Sequence, residues 1–79
     1  MSELVLILTD IAKSLVDNPG KVSVEGTEDN NNVELHLYVD ADDIGKVIGK
    51  NGHIAKSIRT VMRSAGNLYG KRVTVEIED

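Results

Sequence analysis

The first sixteen residues place apolar side chains at helical spacing. Five of them follow the i, i+3, i+4, i+7 pattern of one helix face: Leu4, Ile7, Leu8, Ile11 and Leu15. The pattern predicts a helix over residues 4–16, with Ser2 as its N-cap. The segment Asn18-Pro19-Gly20 ends this helix, because proline lacks an N–H donor and glycine accepts left-handed backbone angles.

Two alternating segments come next. Residues 21–25 place Val22 and Val24 on one face, and residues 33–40 alternate more strictly. The apolar positions of the second segment are Val33, Leu35, Leu37 and Val39. Residues 26–32 between them are polar and predict a turn. The two segments therefore predict an antiparallel pair of strands with one face on a core and the other in water.

Helical spacing returns after residue 40. Three aspartates at positions 40, 42 and 43 predict a helix start, and this short helix reaches Ile48. Residues 53–65 predict a second helix, Gly66 and Gly70 bracket a loop, and residues 72–78 predict a last strand. The order is α-β-β-α-α-β. Because a crossover between strands is normally right-handed and parallel, we expect one α+β domain over residues 1–79, with a three-stranded mixed sheet and helices on one face.

Charge is distributed unevenly along the chain. The protein has 79 residues and a net charge of −4, which by itself disfavours a nucleic-acid partner. The stretch from Ile44 to Val75, however, contains no acidic residue. Its bases are Lys46, Lys50, Lys56, Arg59, Arg63, Lys71 and Arg72. This segregation predicts a local positive face on an acidic protein, with chance clustering in a short chain as the alternative.

The segment Gly49-Lys50-Asn51-Gly52 joins the two later helices. Asn-Gly often marks a β-hairpin, but both flanks here have helical rather than alternating periodicity. Glycines allow a sharp reversal and leave no β-carbon to hold a ligand away. The start of the following helix attracts phosphate, and Lys50 adds a positive charge. A plain helix-turn-helix connector is the alternative interpretation.

The whole chain resembles the KH domain family in its type II form. The resemblance rests on Val47-Ile48-Gly49-Lys50-Asn51-Gly52, followed by Ile54 and Ile58, and on the α-β addition before the β-α-α-β unit. It implies a cytoplasmic protein of bacterial type that binds single-stranded RNA as a chaperone or post-transcriptional regulator. It also implies self-association, a larger partner with its own KH domain, and a role in cell elongation, division and peptidoglycan homeostasis.

The resemblance also assigns roles to residues. Gly49 and Gly52 shape the loop, and Lys50 and Asn51 face the RNA backbone, of which KH loops grip about four nucleotides. The walls and floor of the groove are Val47, Ile48, Ile54 and Ile58, although Ile58 also fits an ordinary core position. Gly45 is expected to let its helix approach the sheet. Electrostatic attraction is assigned to Lys46, Lys56, Arg59 and Arg63, for the last three of which a merely solvated helix face is the alternative.

Other classes of function have less support. The two histidines, His36 and His53, lie on an outward strand position and at a helix start, and no nucleophile or metal-ligand spacing accompanies them, so we expect neither catalysis nor a cofactor. Cysteine is absent, which excludes disulfides and thiolate metal sites. Asp42 and Asp43 are interpreted as capping residues. No apolar run is long enough to insert in a membrane, and no export signal is evident.

A pure dimerisation or scaffold module is the main rival. Leu6 falls on the polar side of the first helix, and Val61 and Met62 widen the apolar arc of the last one. Either position fits an interface or the core. The motif region contains no aromatic residue, so base stacking, which adds about 1–3 kcal/mol per base, is expected to be weak. Binding by one such domain is therefore expected to be weak and little selective, and a second domain would strengthen it.

Overall fold

A computed structural model describes residues 1–78 of the chain. Its regular elements are α1 (Ser2–Leu15), β1 (Ser23–Asp29), β2 (Asn32–Tyr38), α2 (Ile44–Ile48), α3 (His53–Leu68) and β3 (Arg72–Ile77). Single 3₁₀ turns occur at Pro19–Lys21, Ala41–Asp43 and Lys50–Gly52. The predicted α-β-β-α-α-β order is confirmed.

The sheet has the strand order β1-β2-β3. β1 pairs with β2 antiparallel, with Val24 opposite Leu37, and β2 pairs with β3 parallel, with Leu35 opposite Val75. Helices α2 and α3 form the crossover between the two parallel strands, as a parallel connection requires. The expected mixed sheet with helices on one face is therefore confirmed, and β3 lies at an edge of the sheet within the described residues.

The core lies between the helices and the inner face of the sheet. The central strand contributes Val33, Leu35 and Leu37, each at most 1% exposed. The other buried core residues are Leu4, Leu8, Ala12, Val47, Ile58, Met62, Val73 and Val75. They come from all three helices and from β3, so the alternation of the strands and the periodicity of the helices specify one common core.

The hairpin between β1 and β2 is tighter than predicted. β1 continues to Asp29, which pairs with Asn32, so only Asn30 and Asn31 remain in the turn. The predicted turn over residues 26–32 is therefore wrong in length. Pairing with the strongly apolar β2 holds the polar residues of β1 in the ladder, and Asn30 takes the left-handed angle that the reversal needs, with φ 57°.

Two helix ends also differ from the prediction. Met1, not Ser2, occupies the N-cap of α1, and the hydroxyl of Ser2 donates to the carboxylate of Glu3. The second difference is the C-terminal end of α3, which continues through Gly66 to Leu68 instead of ending at residue 65. Gly66 is therefore helical and does not begin a loop.

Position 66 requires a glycine because the backbone of α3 comes close to β3 there. A β-carbon at this position would lie 2.9 Å from the carbonyl oxygen of Lys71 and would overlap the side chain of Val73. Nothing lies within 4 Å of a β-carbon placed on Gly45, so the close approach expected at Gly45 is wrong. Glycine is required where α3 meets β3.

Among residues 1–78, no helix combines the length and the apolar character that a bilayer crossing needs.

Candidate nucleic-acid interface

The loop between α2 and α3 contains three residues with positive φ. Gly49 has φ 74° and ψ 173°, Asn51 has φ 55°, and Gly52 has φ 74°. The first of these conformations is open only to glycine, and asparagine is among the residues that best tolerate the left-handed region. The loop therefore reverses the chain within four residues and brings it directly into α3.

Backbone N–H groups of this loop differ in whether they have a partner. The N–H of Gly49 donates to the Gly45 carbonyl at 2.9 Å, that of Gly52 to the Gly49 carbonyl at 3.1 Å, and that of His53 to the Lys50 carbonyl. Within residues 1–78, the N–H groups of Lys50 and Asn51 donate to no backbone acceptor. Two successive free N–H groups beside a left-handed residue form the kind of backbone concavity that binds anions.

Side chains at the tip of the loop are open to solvent. Lys50 and Asn51 are both exposed, and the same is true of Lys56 one turn into α3. No ion pair within the described residues involves Lys50 or Lys56. These two ammonium groups are therefore available to a ligand at the N-terminal end of α3.

The four apolar positions of the motif separate into two kinds. Val47 and Ile58 are 0% and 3% exposed and belong to the core, whereas Ile48 and Ile54 are half-buried beside the loop. Val47 supports α2 from inside the molecule, so the groove-wall contact expected of it is wrong. For Ile58 the core alternative is confirmed. Ile48 and Ile54 retain surface that a ligand can contact.

Helix α3 presents two different sides. One side borders a depression of about 450 Å³ between α3 and the open edge of β3, which we call the arginine groove; Arg59, Arg63, Arg72, Val75 and Glu76 are among its lining residues. The other side borders an almost wholly apolar depression of about 480 Å³ between α1 and α3. We call this the apolar groove, lined by Ile11, Leu15, His53, Ile54, Ser57, Ile58 and Val61. Ile54 and Ile58 thus face away from Arg59 and Arg63, as the helical spacing of these residues predicts.

The open edge of β3 exposes backbone groups to the arginine groove. The N–H of Arg72 donates to the Asn31 carbonyl and that of Glu78 to the Leu37 carbonyl, so alternate residues bond toward β2. Val73 and Val75 therefore direct their backbone groups outward, as the alternation of a parallel strand requires. The Nε of Arg59 donates to the carbonyl of Val75 at 3.2 Å, which fixes this guanidinium along the groove.

Lys46 occupies a different setting from the other bases. Its ammonium lies 3.3 Å from a carboxylate oxygen of Asp17 and 3.6 Å from one of Asp43. Pairing with Asp17, reinforced by Asp43, raises the pKa of Lys46 above its ordinary value. Lys46 is therefore committed to contacts within the protein, unlike Lys50 and Lys56.

Asp43 is the residue whose role the sequence did not predict. The side chain of Asp40, not that of Asp43, accepts from a backbone N–H of this turn, at 2.9 Å from the nitrogen of Asp42. Asp43 is 1% exposed and joins the segment after α1 to α2. It accepts from the backbone N–H of Asn18 at 3.0 Å, from the Asn18 amide at 3.1 Å and from the N–H of Asp17 at 3.3 Å.

These contacts also set the titration of Asp43. Burial acts to raise the pKa of Asp43, but the hydrogen bonds from Asn18 and Asp17, together with Lys46, outweigh it and hold the pKa below the ordinary value. The charged carboxylate thus ties α2, which leads into the loop, to the connection between α1 and β1. The sequence indicates this role of Asp43 only by containing one aspartate more than a helix cap needs.

The outer face of the sheet is acidic. Glu25, Glu34, Glu76 and Glu78 surround His36, whose ring lies 2.8 Å from the carboxylate of Glu34 and 2.9 Å from that of Glu78. Hydrogen bonding to Glu78 and then to Glu34 raises the pKa of His36. Because these side chains are acidic, a polyanion is disfavoured on this face and favoured at the loop and the arginine groove.

Within residues 1–78, no group of three or more His, Asp or Glu is arranged to hold a metal ion.

Comparison with known proteins agrees with the fold. Residues 6–77 match the family model described as KhpA/KhpB, KH domain. The chain is 51% identical over 71 residues to the RNA-binding protein KhpA of Clostridium acetobutylicum, covering 90% of this chain and 95% of that protein. It is 47% identical over 77 residues to the KhpA of Aquifex aeolicus, covering 98% of both proteins.

The chain also resembles a solved structure, and at this low identity the resemblance concerns the fold alone. The fold matches part of Era in a crystal structure with MgGDPNP and a segment of 16S ribosomal RNA, with a TM-score of 0.70 and 23% identity. That match covers 94% of this chain and 28% of the Era chain. From the family match and the near full-length identities, together with the loop and fold described above, we conclude that the chain belongs to the KhpA/KhpB family of KH domains.

Proposed function

We propose that this protein binds the sugar–phosphate backbone of single-stranded RNA with its Gly49–Gly52 loop. The observation that carries the proposal is the pair of free backbone N–H groups at Lys50 and Asn51, set beside an unpaired lysine side chain at the start of α3. Phosphate oxygens are the ligands that suit such a site. The names of the KhpA relatives, which are called RNA-binding proteins, support RNA as the ligand.

Each side of the site has a distinct part in this proposal. Lys50 and Asn51 contact the phosphates, while Gly49 and Gly52 give the loop its shape. Ile48 and Ile54 offer apolar contact to sugars or bases that lie against the loop. A second set attracts the strand electrostatically and consists of Lys56, Arg59 and Arg63. Lys46 acts indirectly, by holding α2 in place through Asp17 and Asp43.

The test replaces the two residues at the tip together, as Lys50→Asp/Asn51→Asp. Aspartate tolerates the left-handed angle at position 51, so the loop can keep its shape. A matched control, Lys13→Asp/Ser14→Asp, makes the same change of charge at two exposed neighbours on α1. RNA of random sequence should bind the loop variant at least about tenfold more weakly, the size of one charged hydrogen bond. Equal affinity of the loop variant and the control, with both folded by circular dichroism, would refute the proposal.

The wider role follows the family resemblance. We propose a non-catalytic, cytoplasmic RNA chaperone or post-transcriptional regulator that acts with a KhpB-type partner carrying its own KH domain. Through that partner it would contribute to cell elongation, division and peptidoglycan homeostasis. The loop variant provides the test: a strain that carries it should lose normal cell length if the role runs through RNA, and should keep it if protein contacts alone suffice.

Self-association is the second candidate, and the apolar groove favours it. Val61 is 48% exposed and Leu15 is 37% exposed on either side of this groove, and a second copy of the chain would cover both. Met62, the other position named for an interface, is 0% exposed and belongs to the core. Leu6, 60% exposed on α1, is a separate apolar position outside the groove.

Sedimentation over a concentration series distinguishes the two surfaces. If the apolar groove is the interface, Val61→Glu yields a monomer and Leu6→Glu leaves the dimer intact. A wild-type monomer at high micromolar concentration would remove the proposal of self-association. If the loop variant dimerises and supports normal cell length, dimerisation or scaffolding is the whole function.

A further inference from the structure

The arginine groove does not end at Arg63. Beyond it, where α3 ends and β3 begins, lies a depression of about 680 Å³, which we call the distal basin. Arg63 and Asn67 border it from α3, Arg72 from β3, Asn31 from the β1–β2 turn and Asn32 from the start of β2. Arg72, Asn67, Asn31 and Asn32 were not among the residues that the sequence assigned to RNA.

The distal basin and the arginine groove form one continuous trough. They share Arg63, Arg72 and Val73 as lining residues. Arg59, Arg63 and Asn67 recur every four residues along α3, so they lie in a row on one side of the helix, next to the open edge of β3. A ligand that follows this edge away from the loop therefore passes directly from the arginine groove into the distal basin.

The charges of the basin are arranged for an anion. Within residues 1–78, neither Arg63 nor Arg72 forms an ion pair, whereas Lys71, which also lines the basin, is paired with Glu28. Guanidinium groups match phosphate in a two-pronged geometry, and the amides of Asn31, Asn32 and Asn67 supply donors and acceptors around it. Two unpaired arginines that border one polar depression stand out on a chain of net charge −4.

The basin is too far from the loop to bind the same phosphate. Arg63 lies eleven residues after Gly52 in the sequence, which corresponds to roughly 16 Å along the axis of α3 at 1.5 Å per residue. A phosphate held by the Lys50 and Asn51 N–H groups therefore cannot also reach Arg63 and Arg72. A second phosphate of the same strand can, provided that the strand is longer than the four nucleotides that a KH loop grips.

We propose that the distal basin is a second phosphate-binding subsite, in which Arg63 and Arg72 hold an RNA backbone that the Gly49–Gly52 loop has already engaged. This inference rests on the proposed function and extends it: the preferred substrate is a single strand longer than four nucleotides, laid along the open edge of β3. Asn31, Asn32 and Asn67 contact the sugar or base that accompanies this phosphate.

The experiment compares two lengths of fluorescein-labelled RNA of random sequence, one of four and one of about twelve nucleotides. The test variant is Arg63→Gln/Arg72→Gln, and the control is Lys13→Gln/Lys21→Gln, which removes the same charge from α1 and from the segment before β1. All four side chains are exposed, so the fold should be preserved, and thermal melts verify this. Affinities are measured by fluorescence anisotropy over a range of salt concentrations.

The long RNA should bind the test variant about tenfold more weakly than the control, the size of one charged hydrogen bond. Its slope of log affinity against log salt should become shallower by about 0.7, since the subsite holds one phosphate and each single-stranded phosphate contributes about 0.7. The four-nucleotide RNA loses only the general electrostatic attraction of Arg63, so it should lose less affinity in the test variant than the long RNA does; an equal loss for both RNAs would refute the subsite. If the test variant and the control have equal affinities and slopes for the long RNA, the subsite is refuted, even where the loop variant has lost binding. If the loop variant binds both RNAs like wild type, the proposed function itself fails.

Discussion

The backbone of Gly49 lies directly against the side chain of Ile54. A β-carbon on Gly49 would lie 2.5 Å from Cγ1 of Ile54, far inside van der Waals contact. The loop glycine and the first apolar residue of α3 are therefore fitted to each other. This contact fixes the direction in which the loop enters the helix, and with it the position of the two free N–H groups.

Gly49→Ala should be strongly destabilising. The alanine would be strained at φ 74° and ψ 173° and would also collide with Ile54, so we expect a loss of about 2 kcal/mol or more in the free energy of unfolding. Gly45→Ala is the control, because its β-carbon meets nothing within 4 Å in a helix. It should be neutral or stabilising by up to about 1 kcal/mol in urea denaturation. Equal stability of the two variants would contradict the packing argument.

Gly66→Ala tests the contact of α3 with β3. Its methyl group would meet the Lys71 carbonyl at 2.9 Å and overlap Val73, so helix and strand must separate. We expect a loss of about 1–3 kcal/mol in the free energy of unfolding despite the better helix propensity of alanine. Ser64→Ala, at an exposed position of the same helix, should leave the free energy of unfolding within about 0.5 kcal/mol of wild type.

Asp43→Asn should lower stability more than Asp42→Asn. The amide that replaces the buried carboxylate puts an NH₂ donor in place of one oxygen, so a donor faces either the N–H of Asp17 or the donors of Asn18, while Asp42 is exposed one residue away. Urea midpoints at neutral pH measure the difference, and equal midpoints would show that the carboxylate contributes nothing.

Acid should weaken the same contact. Because the pKa of Asp43 is lowered by folding, its stabilising contribution is present above the unfolded value of 3.8 and disappears as pH falls through the folded pKa. Urea midpoints measured from pH 5 down to acid should therefore fall more steeply for wild type than for Asp43→Asn. Parallel curves for the two proteins would contradict this assignment.

His36 should make stability depend on pH in the opposite sense. Glu78 and Glu34 raise the pKa of His36 above 6.5, so its contribution is fully present below that pH and is lost as pH rises through the folded pKa. Thermal unfolding midpoints should therefore fall between about pH 6 and pH 8. His36→Gln should flatten this part of the profile, whereas His53→Gln should leave it in place. A wild-type profile as flat as that of His36→Gln would rule out the charged contact.

Substitutions of Lys46 and Lys50 should affect different properties, stability for Lys46 and RNA binding for Lys50. Lys46→Gln removes the ion pairs with Asp17 and Asp43, so it should lower the urea midpoint and leave RNA affinity within about twofold of wild type. Lys50→Gln, at an exposed position without such pairs, should weaken RNA binding and leave the urea midpoint unchanged. A larger loss of RNA affinity in Lys46→Gln than in Lys50→Gln would place Lys46 at the interface after all.

Local patterns predicted the elements because each element buries one face. The alternation at Val33, Leu35 and Leu37 and the spacing at Leu4 and Leu8 both led to residues that are buried in the structure. The position of the loop was also predictable, since two glycines between helical segments allow few other structures. The fold class thus depends on information contained within short stretches of sequence.

Features that depend on distant residues were not predictable in this way. Gly66 looks like a helix terminator unless the position of Val73 is known, and Asp43 looks like a cap unless Asn18 is known to lie beside it. The division of α3 into a basic side and an apolar side follows from helical spacing alone. Which neighbour each side meets, the edge of β3 or helix α1, depends on the fold and was not predictable.

The acidic outer face of the sheet has a kinetic consequence. Glu25, Glu34 and Glu78 lie on that face while Arg59 and Arg63 line the arginine groove, so acidic and basic side chains are concentrated on different parts of the molecule. Long-range repulsion and attraction then orient an approaching polyanion before any contact forms. A charge reversal on the outer face, far from every binding residue, should therefore change the rate of association more than the rate of dissociation.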